Sequence, residues 1–456
     1  MLGLWMFAVV VVLLLIGFPV AFTLGGTAVL FTLLGSNFTE VYLGFSLPWD
    51  AAFNVARLNI LPQRIFGTIM DNYTLVAVPF FVFMGVMLER SGLAEELLES
   101  MGMLFGKLRG GLAISVVAVG ALLAASTGVV GASVVTLAVL ALPVMLKFGY
   151  AKTLATGVVA SSGTLGQIIP PSIVLVILGD QIGVSVGDLF LGSFVPGFML
   201  AGLFILWVVY VAWRHPEQAP ALPPEARALT GWPLVLKLLK SLVPPLVLVM
   251  MVLGTIFFGV ATPTEAGAAG AAGATALAAI NRRLNWRNLR DTMDSTVRLT
   301  SMVFIILVGA TAFSMVFTAL GGGRVVDEFL LNLPGGAVGF MFFTMLVIFL
   351  LGFFIDFIEI TFIVVPLIAP IAERFFGADM MLWFGVVVAM NLQSSFLTPP
   401  FGFSLFYLKG VAPPGVTTGH IYRGIVPFVV IQILALVITV LYPSLALWLP
   451  EALLGR

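Results

Sequence analysis

Asp356 and Glu359 stand three residues apart inside one of the most apolar stretches of the chain. An acid at the centre of a bilayer costs about 2.5–3.5 kcal/mol on insertion scales. Two so close together need cations, protons or water nearby. They read as a cation site or a proton relay; the alternative is a loop tip that reaches the aqueous interface, where the cost fades. Downstream, Asn391, Gln393, Ser394, Ser395 and Thr398 offer the oxygens that a hard cation such as Na⁺ takes as ligands. Carbonyls freed where a helix unwinds, and helix C-terminal ends, add to that set. A second constellation lies in the first half: Ser126, Thr127 and Gly128, then Ser161, Ser162, Gly163 and Thr164. It holds no acid. It suits a cation bound by carbonyls and hydroxyls, or an anionic substrate at helix N-termini. Ser126, Thr127, Ser162, Asn391 and Ser395 are the residues expected to meet substrate. Any single Ser or Thr can bond back to its own helix, so the clustering carries the inference.

The elements that must position these groups are two related stretches. Ala160 to Ser172 reads ASSGTLGQIIPPS and Ala389 to Phe401 reads AMNLQSSFLTPPF. Each is polar within an apolar run, and each presents two successive prolines, Pro170-Pro171 and Pro399-Pro400. A Pro inside a helix removes a donor and clashes with the preceding turn, costing roughly 3 kcal/mol. The spacing therefore predicts two helices, 153–178 and 380–408, that unwind within the membrane. Irregular backbone at that depth is tolerated only where protein buries it or it lines a wet cavity, and a pair in matching halves marks the site of a secondary transporter.

With 61% hydrophobic and 9% charged residues over 456 positions, the chain is a polytopic membrane protein. It has no Cys, which excludes disulfides and thiolate metal sites. His215 and His420 fall in polar linkers. The N-terminus lacks the basic start and small-residue cleavage site of a signal peptide. No G-x-x-x-x-G-K-[ST] occurs, so no P-loop hydrolyses ATP, and zero net charge implies no nucleic acid.

Spans are expected at 2–18, 20–34, 73–88 and 189–213, then 242–260, 263–280, 297–320 and 425–448. Apolar hairpins at 110–146 and 335–371 have polar tips at 126–131 and 356–359. Glu89 to Arg109 reads as a charged loop, Gly321 to Gly323 as a glycine loop, and 59–71 and 281–294 as surface segments. Thr262 to Glu265 reads as a helix N-terminus with its cap and first-turn acid. Gly92 and Gly321, like Pro170 and Pro399, stand 229 residues apart. The chain thus divides into a first repeat, 1–213, a linker, 214–232, and a second repeat, 233–456. Each repeat has five spans and one re-entrant hairpin, and an odd number of crossings inverts the second relative to the first. With the N-terminus outside, all 21 Lys and Arg except Arg57, Arg64, Arg324, Arg374 and Arg456 fall on the cytoplasmic side. Both termini are then periplasmic.

The tract STGVVGAS…LPVMLKFGY…SSGTLGQIIPPS, the element ATPTEAGAAGA and the C-terminal LTPPFGFSLFYLKG…GHIYRGIVPF together resemble the large membrane subunit of TRAP (tripartite ATP-independent periplasmic) transporters. The resemblance covers essentially the whole chain. It implies an all-α elevator-type transporter of the bacterial or archaeal inner membrane, with inverted repeats and two re-entrant hairpins. It further implies Na⁺ as coupling ion, no other cofactor, and uptake of an organic anion, usually a carboxylate, delivered by a periplasmic binding protein. A small four-helix subunit is expected as a separate chain. Na⁺ is placed around the two tips and the two broken helices. The first tip reads Ser-Thr-Gly-Val, where the family pattern is closer to Ser-Gly-Ser-Ala.

Two other readings compete. One is a stand-alone ion or anion transporter of the same superfamily, such as a proton-coupled antiporter using Asp356 and Glu359. The other, an intramembrane aspartyl protease, needs two membrane-embedded Asp, and only Asp356 qualifies. Asp356→Asn and Glu359→Gln are each expected to lower transport while leaving membrane insertion intact. Unchanged uptake in both variants would refute a transport role for these acids.

Overall fold

A computed structural model describes residues 2–36, 55–127, 130–227, 229, 231–399 and 402–455; the side chains of 55–57 and 124–127 are outside the description. Gly128, Pro400 and Phe401, singled out in the sequence, also lie outside the described residues. The described chain is helical throughout, with no strand among the described residues. Long apolar runs without period-two alternation leave helix as the structure that satisfies every backbone group within its own segment.

Among the described residues, five helices are long and apolar enough to cross a membrane: Val130–Lys147, Val186–Arg214, Trp232–Phe257, Trp286–Ala319 and Thr418–Leu441. Ala77–Arg90 and Leu93–Phe105 form a further candidate span bent by 57°. This corrects the expected loop from Glu89 to Arg109. Leu93, Leu97, Leu98 and Met101 fall on one buried face, while Glu95, Glu96 and Glu99 point outward, so the charges decorate an amphipathic helix. Gly92, with φ +78°, makes the bend. The second glycine loop is also shorter than expected. Only Gly321 is left-handed, at φ +77°, and Gly322–Leu331 is helix. The basic segment before residue 297 is continuous with the span after it, in one 34-residue helix, Trp286–Ala319. The last span ends at Leu441, and Ser444–Leu454 is a separate helix after Pro443. Thr262 and Glu265 do form the expected cap: the Glu265 backbone N–H donates to the Thr262 hydroxyl, and the Glu265 carboxylate accepts from the Thr262 N–H at 2.8 Å.

The chain forms two compact units, each drawing on both halves of the sequence. The first comprises Met1–Leu75 and Arg298–Met381. Its Leu2–Ile16 and Val20–Leu34 helices turn at Gly17 and pack against residues of the Trp286–Ala319 helix and against Gly322–Leu331. Contact is close because glycines meet backbone: a Cβ on Gly3 would lie 2.7 Å from the Cα of Gly322, and one on Gly309 would lie 2.6 Å from the Ala21 carbonyl oxygen. Phe7 fills the space beside them, its ring 6.3 Å from that of Phe317. The second expected hairpin lies in this unit. Gly336–Leu351 leads to a non-helical corner at 352–356, and the return arm is split into Phe357–Ile363 and Val365–Phe376, with Pro366 at the second start.

The second unit comprises Val76–Val297 and Leu382–Arg456. Its middle is the Lys152–Thr164 helix, whose residues from Leu154 onward are all buried. The first hairpin helices, Gly111–Thr127 and Val130–Lys147, pack on it, as does Thr418–Leu441. Small residues let these backbones approach, as expected where lipid removes the hydrophobic drive between helices. A Cβ on Gly120 would lie 2.6 Å from the Ser162 Cβ, one on Gly163 would lie 2.4 Å from Val134 Cγ2, and one on Gly157 would lie 2.2 Å from the Gly424 carbonyl oxygen. Gly157→Ala is therefore expected to destabilise the protein by about 1–3 kcal/mol of overpacking. Gly202→Ala, which meets open space, should stay within about 0.5 kcal/mol. Thermal unfolding in detergent compares them, and equal midpoints would contradict this packing.

Candidate functional site

Both proline-pair stretches break their helices. The first stops at Thr164, passes through one 3-10 turn at Leu165–Gln167 and resumes at Ile173. The second stops at Phe396 and resumes at Phe403. The two breaks are closed alike. Ser172 donates its hydroxyl to the Gln167 carbonyl at 2.8 Å, and Ser404 donates to the Phe396 carbonyl at 2.8 Å. Gln167 and Phe396 stand 229 residues apart, the same offset as the prolines. A serine beyond the break thus satisfies a carbonyl that the missing helical donor would have left bare.

The polar side chains before each break are buried. Ser161, Ser162, Thr164, Gln393 and Ser395 have no exposed surface, and Asn391 and Ser394 have 1%. Their hydroxyl protons are committed to their own helices. Ser161 donates to Gly157 O at 2.8 Å, Ser162 to Val158 O at 2.6 Å and Thr164 to Ser161 O at 2.8 Å. Ser394, Ser395 and Thr398 do the same one turn back, to Met390, Leu392 and Ser394. This leaves each hydroxyl oxygen with lone pairs available, so such an oxygen acts toward a ligand as an acceptor or a cation ligand.

The amides differ. Neither side-chain atom of Gln393 has a hydrogen-bond partner among the described residues, and the same holds for Gln167, also fully buried. Gln432, on Thr418–Leu441, directs its Nε2 at the Thr164 hydroxyl at 3.5 Å and leaves its Oε1 unpartnered. An unsatisfied buried polar group costs about 1–3 kcal/mol. The breaks are therefore where the second unit carries polar atoms that its own residues do not satisfy.

Gln393 is among the residues that the sequence marks; Gln167 and Gln432 are not. The signal was present in both cases: Gln167 lies inside the repeated stretch, and Gln432 is the lone polar residue of the run VVIQILALV. Ser162 and Gly163 meet the first hairpin through Gly120 and Val134, so its two arms lie against the first break. The ring of Tyr407, beyond the second break, would lie 3.0 Å from a Cβ on Gly131 at the start of the second arm. Ser126 and Thr127 end the Gly111–Thr127 helix, and their side chains are outside the description.

Asp356 and Glu359 belong to the first unit. Asp356 is the N-cap of Phe357–Ile363; its Oδ1 accepts from the Phe357 N–H at 2.6 Å. Glu359 is 6% exposed, with Oε2 unpartnered among the described residues. No ion pair involves either acid among the described residues. The arrangement can hold cations or protons at the acid pair, and cations or a polar solute at the two breaks.

Comparison with known proteins decides the family. The model for the tripartite ATP-independent periplasmic transporter, DctM component, matches residues 7–445. The chain belongs to that family. The C4-dicarboxylate TRAP transporter large permease protein DctM of Vibrio cholerae is 30% identical over 99% of this chain and 98% of its own length. The sialic acid TRAP transporter large permease protein SiaM of the same organism is 28% identical over 93% of this chain and 98% of its own. Among solved structures, the Alcanivorax borkumensis YdaH transporter superposes with a TM-score of 0.65 at 15% identity, covering 94% of this chain and 98% of that one. That likeness shows a shared fold. As a large permease component of the TRAP family, the chain is a membrane transporter subunit, and its buried amides lie in the part of the molecule where the helices break.

In this TRAP permease, Gln393→Leu removes two unsatisfied buried polar atoms. Thermal stability is expected to stay level or rise by about 1 kcal/mol, while transport falls about tenfold or more. A variant that loses stability and keeps transport would show that Gln393 serves packing alone.

Proposed function

We propose that the chain is the membrane-embedded large subunit of a Na⁺-coupled secondary transporter that imports an organic anion delivered by a periplasmic binding protein. The observation that carries this reading is the set of buried polar atoms without partners at the acid pair and at the two helix breaks. Gln167, Gln393 and Glu359 keep donors and acceptors in an apolar surrounding, a state that a transported ion or solute would relieve. The hydroxyl oxygens of Ser161, Ser162, Thr164, Ser394, Ser395 and Thr398 have the hardness that Na⁺ selects. With Ser126, Thr127, Gly128 and Gly163, those of the first repeat form one proposed Na⁺ site; those of the second repeat, with Asn391 and Gln393, form another, and Asp356 and Glu359 are proposed as cation ligands within the first unit. Ser126, Thr127, Ser162, Asn391 and Ser395 are assigned to substrate.

The substrate class follows from two supports. Relatives over nearly their whole length are named for C4-dicarboxylate and sialic acid. The residues flanking the breaks include amides that donate to a carboxylate, as the acid pair does not. The family description is tripartite and periplasmic. It supports a separate binding protein and a small membrane subunit as partners; four helices in that subunit, the inner membrane as location and periplasmic termini belong to the proposal. Two inverted repeats and an elevator motion are the proposed route of transport.

A second reading, a proton-coupled or stand-alone carrier, is favoured by Glu359, whose buried carboxyl has an unpartnered oxygen that a proton would serve. Cation-dependent stability separates the two. A ligand bound only by the folded state stabilises it, by about 2.7 kcal/mol at one hundred times its dissociation constant. Purified with its small subunit and heated in Na⁺, K⁺ or choline at one ionic strength, the protein is expected to gain stability only in Na⁺. Ser126→Ala or Asn391→Ala should reduce the gain. A response to pH alone, lost in Glu359→Gln, would favour protons and overturn the Na⁺ reading.

A further inference from the structure

We propose that the segment from Ile280 to Val297, in the second unit, is a docking surface for the headgroup of an anionic phospholipid. The inference goes beyond the transport reading and does not rest on it. Trp286, Met293 and Val297 recur at spacings of seven and four, on one face of the helix, and are 76%, 50% and 62% exposed. Ile280, at the end of the preceding helix, is 74% exposed. Arg290 falls within the same stripe, and Arg282 and Arg287 are exposed beside it. The surface therefore joins a large aromatic ring, aliphatic side chains and guanidinium groups. That is the chemistry of the boundary between headgroups and acyl chains.

Charge decides the kind of lipid. The two acids of this segment are occupied: Asp291 pairs with Arg90 at 3.1 Å, and Asp294 lies 3.9 Å from Arg290. Arg282, Arg283 and Arg287 make no ion pair among the described residues. Arg283 is turned toward Gly92, where a Cβ would lie 3.2 Å from its Nε. Arg282 and Arg287 are left as exposed cations without protein counter-charge, and a phosphodiester supplies one in bidentate form.

Arg282 adds a second observation. Its backbone sits at φ +57°, and no other described residue except glycine has a positive φ. The turn it makes is a helix ending in which glycine carries no steric penalty; Arg282 N bonds Ala279 O at 3.0 Å and Arg283 N bonds Ala278 O at 2.9 Å. The chain places a guanidinium where the backbone would favour glycine. The helix that follows supplies the geometry. At 34 residues it is about 51 Å long, against about 30 Å for a hydrocarbon core. Its C-terminal part is apolar enough to span, which leaves its first dozen residues at headgroup level.

The test uses the full chain in phosphatidylcholine nanodiscs carrying equal fractions of either phosphatidylglycerol or phosphatidylcholine brominated high on the acyl chains. Trp286 emission is read as the difference between the chain and Trp286→Phe. Brominated phosphatidylglycerol is expected to quench it about twofold more than brominated phosphatidylcholine, because each cation near an anionic surface enriches acidic lipid roughly fivefold. Arg282→Gly with Arg287→Gln should abolish the excess without lowering the thermal midpoint, since glycine accepts the turn. Equal quenching by both lipids would overturn the proposal in favour of unselective bilayer contact. No quenching by either would show water or a protein partner there. An excess removed by inorganic phosphate at constant ionic strength would assign the cations to a free anion.

Discussion

In an apolar solvent every polar atom must find a partner, and the rest of this structure depends on that constraint. Helices satisfy it for the backbone, which is why the described chain contains little else. Where a helix is broken the constraint has to be met another way. Ser172 and Ser404 meet it for two carbonyls by the same device, at positions that the sequence offset nearly superposes. The hydroxyls before each break meet it for themselves by bonding one turn back. Gln167, Gln393, the Oε2 of Glu359 and the Oε1 of Gln432 do not meet it within the described protein. A polar group retained in that state needs an explanation, and a ligand that comes and goes is the one consistent with a transporter family.

Glycine makes the arrangement possible. The Lys152–Thr164 helix carries the first polar cluster, and it is held on several sides by contacts in which a Cβ would lie within 2.6 Å of a neighbour: Gly120 against Ser162, Gly163 against Val134 and Gly157 against Gly424. Gly163 stands among the residues assigned to ion binding, yet its missing side chain already has a packing role. The same residue type thus sets the distance between the first hairpin and the broken helix, and leaves backbone within reach of whatever binds there. Around this centre the bent pair at Gly92, the Arg90 to Asp291 ion pair and the bond from the Thr136 hydroxyl to Glu89 tie the outer helices to the hairpin.

Much of this was legible in the sequence, and for physical reasons. Two prolines in succession after small and polar residues favour a break, and both breaks occur where Pro170 and Pro399 place them, whereas Pro244-Pro245, without such a polar run before them, lie inside the unbroken Trp232–Phe257 helix. Thr262-Pro263-Thr264-Glu265 specifies a helix start by local chemistry alone, and the capping box forms. The structure departs from the sequence pattern where charge reads as loop. Glu95, Glu96 and Glu99 look like a solvated linker until Leu93, Leu97, Leu98 and Met101 are placed at helical spacing beneath them. The run from Asn281 to Asp294 looked separate from the span after it because composition changes there, but a helix continues through a change of solvent. Gln432 escaped notice because a single amide in an apolar run has no motif around it; only the Thr164 hydroxyl 268 residues earlier gives it meaning. Asp356 and Glu359 were legible as costly residues, and Glu359 is indeed buried.

The central claim is that these unsatisfied groups serve a Na⁺-coupled solute. It is tested most directly by uptake into proteoliposomes holding the chain with its small subunit, supplied with binding protein loaded with a C4-dicarboxylate or sialic acid. Accumulation is expected only when Na⁺ is higher outside than in and only with loaded binding protein present. Accumulation driven by a proton gradient in the absence of Na⁺, or unaffected by omitting the binding protein, would contradict the account.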